Sequence, residues 1–387
     1  MTSLPHLAYP SAASDVPTVC FIAANQGVPW GASEFLWSGA AEVLVRRGGV
    51  DVTACVKEWS TDLGPVRRLR SAGCRILVRP TREDDEAFWR GEVPKEAAAE
   101  VLRLRPELVV VSHGDNREGL PWMEFCAIQG LPFVTVAHRA SEWDWPDDAL
   151  VPRLRTAYLA AKAAHFVSEH NRRLTEQMIY SRLDRAALVR NPYNVDFDVE
   201  VPWPAYEGPL RMACVARLDL ESKAHDVLFN VLAAPKWRDR ALHVDVVGRE
   251  GPDSRLVREL AEFLRLERVS FLDTVDDIRS VWAQCHALVL PSRKEGFPVA
   301  IVEAMLSGRP CLVTETGGSA EAIEPGRSGW VAESPTVAAL DRALEQAWQS
   351  RNRWAKMGGH AARAIRSLVP ADPTGTYADL LLRTLEE

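Results

Sequence analysis

Glu295 and Glu303 bracket the run Gly296-Phe297-Pro298-Val299-Ala300-Ile301-Val302. The apolar stretch Ala287 to Leu290 ahead of them reads as a buried strand. Pro298 suits the first turn of a helix, where a missing N–H costs nothing. Val299 to Leu306 has helical character, and Gly308 and Pro310 end it. Glu295 therefore belongs to the loop after a strand, and Glu303 lies about two turns into the next helix. At about 1.5 Å of rise per residue, the two carboxylates are expected roughly 8–12 Å apart on one face. That span suits a nucleotide-sugar, with one carboxylate at the sugar and the other at the ribose. The free N–H groups of the helix start between them offer a site for a diphosphate.

Cations that answer such a diphosphate stand at Arg217 and Lys223, after the strand-like run Met212–Ala216. Arg presents a planar fork to phosphate oxygens and Lys a point charge. Both stabilise a leaving group that gains negative charge as a glycosidic bond breaks. Read as the start of a helix, this segment places the cations against the helix dipole, so an anion is expected to justify them.

The run from Glu295 to Pro310 resembles the Glu-x7-Glu signature of family 4 retaining glycosyltransferases, Glu-Gly-Phe-x-x-x-x-x-Glu-Ala-Met-x-x-Gly-x-Pro. Arg217 to His225 is similar to the same family's Gly-Arg-Leu…Lys-Gly-His run, with Ala216 and Ala224 standing where the family has glycine. The resemblance implies the GT-B fold: two Rossmann-like, doubly wound parallel-sheet α/β domains facing a central cleft. It implies that Glu295 touches the donor sugar, Glu303 the ribose, and Arg217 and Lys223 the diphosphate, with Gly296, Phe297, Pro298 and Val299 beside them. Gly248 and Arg249 follow a strand as in the family's turn beside the base, and Thr274 and Val275 are expected to meet the base through backbone groups. Gly317-Gly318-Ser319-Ala320-Glu321 resembles a Gly-Gly-x-x-Glu turn near the nucleotide.

His138 is expected at the end of a fifth strand of the first domain, where ligands of open α/β sheets bind. The resemblance implies that it lines the donor sugar and completes the catalytic set with Glu295, Arg217 and Lys223. His113 ends the preceding strand and competes for that role. Gly31-Ala32-Ser33-Glu34 resembles a Gly-Gly-x-Glu element facing the acceptor, although a plain strand–helix turn with Ser33 as N-cap accounts for it as well. Acidic loops follow the two histidine-bearing strands: Asp115 and Glu118, then Glu142, Asp144, Asp147 and Asp148, with Trp143 and Trp145 among them. Trp faces bind sugar rings and cations. Gly31, His113, Asp115, Glu142, Trp143 and Asp144 are the expected acceptor-side residues.

The 387-residue length calls for two domains. The composition, 47% hydrophobic and 26% charged, is that of a globular protein. A formal net charge of -7 argues against nucleic acid as the partner. No apolar run is long enough to span a bilayer, and no basic amphipathic surface marks a membrane binder. Met1 to Pro17 lacks the features of a secretory signal and reads as a disordered lead-in. Seven scattered cysteines without a C-x-x-C read as reduced core residues of a cytoplasmic protein. No metal is expected: the one Asp-x-Asp, Asp196-Phe197-Asp198, lies in a linker rather than at a strand end. No G-x-G-x-x-G follows a strand, which argues against a nicotinamide dehydrogenase.

Short apolar strands alternate with amphipathic segments in two similar halves. Strands are expected near Thr18–Ala23, Val50–Val56, Arg75–Val78, Leu108–Val111, Phe133–Val136, His165–Ser168 and Ala187–Val189. After a Pro-rich stretch they recur near Arg211–Ala216, His243–Val247, Val269–Leu272, Ala287–Leu290 and Pro310–Val313. The expected division is 1–195 for an acceptor-binding domain, 196–209 for a linker, 210–370 for a donor-binding domain and 371–387 for a helix crossing back to the first domain. The family resemblance implies a retaining hexosyltransferase that uses a nucleotide-sugar, UDP-sugar favoured, without a metal and by front-face attack. Its acceptor is expected to be a soluble hydroxyl compound such as an aminocyclitol or amino-sugar natural product. Alternatives are a glycosyltransferase of cell-envelope or polysaccharide assembly, a GT-B nucleotide-sugar epimerase, or a non-catalytic donor-binding subunit. Donor base, acceptor and oligomeric state are not written in the motifs.

Overall fold

The computed structural model describes residues 16–27, 30–205 and 208–387. Most of the expected lead-in, Val28 and Pro29 of the first glycine loop, and two linker residues lie outside that range.

Seven strands form the first sheet: β1 (Thr18–Ala23), β2 (Asp51–Lys57), β3 (Arg75–Arg79), β4 (Leu108–Asp115), β5 (Phe133–Arg139), β6 (Ala163–Phe166) and β7 (Ala186–Leu188). Six form the second: β8 (Leu210–Val215), β9 (Leu242–Val247), β10 (Val269–Leu272), β11 (Ala287–Leu290), β12 (Cys311–Thr314) and β13 (Gly329–Ala332). Each pairing is parallel, in the orders β3-β2-β1-β4-β5-β6-β7 and β10-β9-β8-β11-β12-β13. Central strands such as β4 and β11 are buried on both faces, which is why they appear as continuous apolar runs rather than alternations. The strand order reverses between β1 and β4 in one sheet and between β8 and β11 in the other. At these two switch points the carboxyl ends of the strands open crevices, and ligands bind in such crevices.

The strand expectations hold with small shifts. β6 ends earlier than expected because Ser168 leaves the strand to cap the next helix, its Oγ accepting from Asn171 N at 3.1 Å. β13 was not expected. Its four residues, Gly-Trp-Val-Ala, are too short to show a period and follow a turn. The helix after β1 starts at Ala32 with Gly31 as its N-cap, so Ser33 is not the cap.

The last helix, Pro373–Glu386, packs on the helix Ala32–Arg47. The contact is tight enough that a Cβ at Gly39 would lie 2.3 Å from Thr374 Cγ2. Tyr377 is buried and meets the His165 ring edge-on, and Lys162 Nζ donates to Thr384 O at 2.8 Å. All seven cysteines are buried and unpaired. Among the described residues no helix is long and apolar enough to cross a membrane.

Candidate active site

A cleft of about 900 Å³ joins the two switch points. From the first domain it is lined by Asn25, Gly31, Gly114, Asp115, Glu118, His138 and Arg139, and from the second by Arg217, Lys223, Gly248, Arg249, Lys294 and Glu295 through Ala300, with Glu303.

The loop after β11 is fixed by backbone bonds. Arg293 N and Lys294 N both donate to Ser222 O, at 2.8 and 3.2 Å, and Thr314 Oγ1 donates to Ser292 O at 2.6 Å. This ties the loop to the residue before Lys223, and the Lys223 ammonium comes to 2.7 Å from Glu295 Oε1. Gly296 then passes so close to the first domain that a Cβ would lie 1.9 Å from His138 O. No side chain can occupy that position without moving the domains apart.

Lys223 ends a short helix, Leu220–Lys223, and Asp219 caps its start by accepting from Ser222 N at 2.9 Å. Lys223 therefore stands between the end of that short helix and the start of the helix His225–Leu232, whose N-cap is Ala224, so the position ahead of a helix start is as expected. The anion expected for Arg217 is Asp219 itself, 2.6 Å from the guanidinium. Ala224, at the position where the resemblance implied glycine, adopts φ 53 and ψ 40, a left-handed conformation unusual for alanine. Gly248, with φ 155, passes so close to the Ala216 backbone that a Cβ would lie 2.2 Å from Ala216 O.

The helix Val299–Leu306 opens onto the cleft with Pro298 as its N-cap. On it, Glu303 is buried, and its Oε1 accepts from Asn194 N at 2.9 Å and from Asn194 Nδ2 at 2.7 Å. Burial pushes the Glu303 carboxyl upward, partly offset by the Asn194 bonds. Burial lowers Arg249, and the neighbouring Arg217 charge lowers it further.

On the facing wall, His138 Nε2 lies 3.3 Å from Ser112 Oγ. Burial, with His113 nearby, lowers its pKa to about 3, so the ring is neutral. His113 does not reach the cleft. It is fully buried within the sheet, with Nδ1 on Asp115 O and Nε2 on Thr135 Oγ1, both at 2.6 Å. Glu118 Oε2 accepts from Gly114 N and Asp115 N at 3.0 Å, and Asp115 Oδ1 accepts from Arg117 Nε at 2.8 Å.

Several expected residues stand elsewhere. Thr274 and Val275 are outside the cleft lining, because β10 is the edge strand, two strands from the switch point. Glu142 is also outside it and pairs with His170 Nε2 at 2.8 Å. Asp144 pairs with Lys294 Nζ at 3.0 Å. Trp143 is exposed and lines a separate groove with Leu220, Glu221, Asp226, Arg293 and Lys294. Asp196 and Asp198 lie on an open surface of the linker, away from the cleft. Among the described residues, no group of three or more His, Cys, Asp or Glu is placed to hold a metal ion. Asn194, at the end of the first domain, was not among the expected site residues. Its contact with Glu303 spans 109 positions, and no local pattern signals it.

Residues 209–350 match the family described as glycosyl transferases group 1. Most of the second domain is thus similar to group 1 glycosyl transferases. N-acetyl-alpha-D-glucosaminyl L-malate synthase of Bacillus anthracis is 34% identical over 98 residues, 25% of this chain and 26% of that protein. D-inositol 3-phosphate glycosyltransferase of Streptomyces coelicolor is 27% identical over 214 residues, 48% of this chain and 46% of that protein. The chain thus spans between about a quarter and a half of the length of these curated relatives. Among solved structures, Anabaena HepE in complex with UDP superposes with a TM-score of 0.73 at 16% identity, covering 95% of this chain and 100% of that one. Sucrose-phosphate synthase from Thermosynechococcus elongatus gives 0.72 at 16% identity, covering 95% and 99%. The chain has the GT-B fold.

Proposed function

We propose that this chain is a retaining glycosyltransferase that moves a hexose-type sugar from a nucleoside diphosphate sugar, UDP-sugar favoured, to a hydroxyl of a small polar acceptor. The observation that carries the reading is the Lys223–Glu295 pair, which lines the same cleft as Arg217 and Glu303 and faces His138 across it. On this reading Arg217, Lys223 and the start of the helix Val299–Leu306 receive the diphosphate. Glu303, held by Asn194, receives ribose hydroxyls, and Glu295 receives sugar hydroxyls. The solved relatives bound to UDP and to UDP-glucose support the choice of base.

The neutral His138 is suited to accept or donate a hydrogen bond at the sugar without adding charge. Front-face attack, with a phosphate oxygen taking the acceptor proton, is the mechanism that the family resemblance implies. Binding of the diphosphate needs no metal on this reading, because Arg217, Lys223 and the helix start supply the positive field.

An amine-bearing cyclitol or amino sugar is the proposed acceptor class. The loop with Glu142 and Asp144 no longer carries it, since both carboxylates are paired. Glu118, which does line the cleft, is the group that supports it, Asp115 being itself paired with Arg117. The names of relatives that act on malate and inositol phosphate support a small hydrophilic acceptor of some kind.

Calorimetric titration of wild type and Lys223→Ala with UDP, GDP, ADP and dTDP, in EDTA, tests the donor site. One diphosphate should bind selectively and lose about 10- to 100-fold in affinity in the variant. Absence of binding to all four, or equal binding in the variant, rejects the assignment. A turnover screen with amino and neutral acceptors then tests the acceptor, and turnover confined to neutral or anionic acceptors rejects the amine.

A further inference from the structure

The Gly317–Glu321 turn does not line the cleft. It faces the first domain. Glu321 Oε2 accepts from the backbone N–H of Glu169 at 3.2 Å, and Oε1 from that of His170 at 2.6 Å. Asn171 N, the next amide, is taken by Ser168 Oγ at 3.1 Å. A helix leaves its first amides without partners and carries partial positive charge there. The helix Glu169–Met178 has its first three amides satisfied, two of them by a carboxylate from the other domain.

The same contact runs on to the cleft. The Arg190 guanidinium lies 3.9 Å from Glu321 Oε2 and 3.9 Å above the Phe297 ring, and it donates to Val167 O. Phe297 follows Gly296, whose carbonyl accepts from Gly318 N at 2.6 Å. The fit is close: a Cβ at Gly318 would lie 2.5 Å from Ser168 Cβ and 2.7 Å from Gly296 O.

We propose that Glu321 and Arg190 are positioning residues. They latch the two domains and hold the Glu295–Phe297 loop against the His138 backbone. The kinetic consequence rests on the transferase reading, but the latch itself does not. Opening the domains would return two amides and a carboxylate to water, where each is solvated. The latch is therefore reversible and is worth about tenfold in the closed-to-open ratio, the usual scale of a charged N-cap.

Hydrogen exchange of the full chain tests the latch without reference to activity. In Glu321→Ala, amides of the segment 168–172 should exchange about tenfold faster. In Glu321→Gln, which keeps one acceptor oxygen and the shape, they should exchange about threefold faster. The helix Ser254–Phe263, remote from the contact, should be unchanged in both. Gly318→Ala should speed the same segment by wedging the domains apart. In the kinetic arm, kcat/KM for UDP-glucose should fall about tenfold in Glu321→Ala, while the Kd of UDP changes less than twofold. Unchanged exchange in Glu321→Ala and Gly318→Ala overturns the latch. So does a parallel loss of UDP affinity, which would mark a general structural role. If wild type binds no nucleoside diphosphate, the transferase reading fails and the exchange result alone decides the latch.

Discussion

The Lys223 ammonium and the Glu295 carboxylate, 72 positions apart, meet at 2.7 Å where two loops of the second domain converge. Glu295 is 6% exposed, and Lys223 is the cation paired with it. A donor diphosphate would share the ammonium, and a donor sugar the carboxylate. The pair thus holds both groups ready in the absence of ligand.

Lys223→Ala should lower the unfolding free energy as well as weaken diphosphate binding, because it leaves a buried carboxylate without its cation. Lys223→Ala/Glu295→Gln should recover stability but not binding. Chemical denaturation should give a coupling of about 1–3 kcal/mol. Additive stability losses in the double variant would refute the pairing as a source of stability.

Asn194 donates twice to Glu303 Oε1, which fixes the carboxylate and leaves Oε2 for a ligand. Asn194→Ala removes the side-chain bond and keeps the backbone one. A bond to a charged group is worth about 1.5–3 kcal/mol, so UDP affinity should fall about tenfold. Inhibition by pyrophosphate, which has no ribose, should be unaffected. Equal weakening of both ligands would place the effect in the fold instead of the ribose contact.

The second domain was more legible in the sequence than the first. The strand before Glu295, the helix Val299–Leu306 and both breaks after it follow from a run whose residues are neighbours in the chain. Asn194 to Glu303, Gly296 to His138 and Glu321 to the helix at Glu169 all cross between segments more than a hundred residues apart, and local periodicity carries no trace of such pairings. The acidic character of 142–148 was read correctly as charge but not as pairing. Only the folded chain shows His170 and Lys294 neutralising Glu142 and Asp144. His113 and His138 compete in the sequence because both end strands, with His138 the expected one. They differ by a short advance along the sheet, which leaves one inside it and brings the other to the cleft.

His138, lowered to about 3 by burial, stays neutral from pH 5 to 8. The kcat/KM profile should therefore show no limb near 6.5, the value of a solvated imidazole. His138→Asn should lower the rate by a similar factor at every pH in that range. A limb near 6.5 that disappears in the variant would mean that the ring titrates and acts as an acid or base.

Glu34 gives the opposite sign of effect on stability. It is buried at the N-terminal turn of the helix Ala32–Arg47, where its Oε2 accepts from Gly31 N at 2.8 Å and from Ser33 Oγ at 2.6 Å. Burial outweighs these bonds and pushes its pKa up from 4.5 to about 7. A folded-state pKa above the unfolded one means that the folded chain holds the proton more tightly. The stabilisation is fully present below pH 4.5 and is lost as the pH rises through about 7. At about 1.4 kcal/mol per unit, the total is on the order of 3 kcal/mol. Glu34→Gln cannot ionise and keeps an oxygen for Gly31 N. Its stability relative to wild type should therefore rise by that order between pH 5 and 8, measured by urea unfolding at each pH. A gap that stays constant across the range would mean that Glu34 ionises in the folded chain as readily as in the unfolded one, and that the Gly31 and Ser33 bonds fully offset its burial.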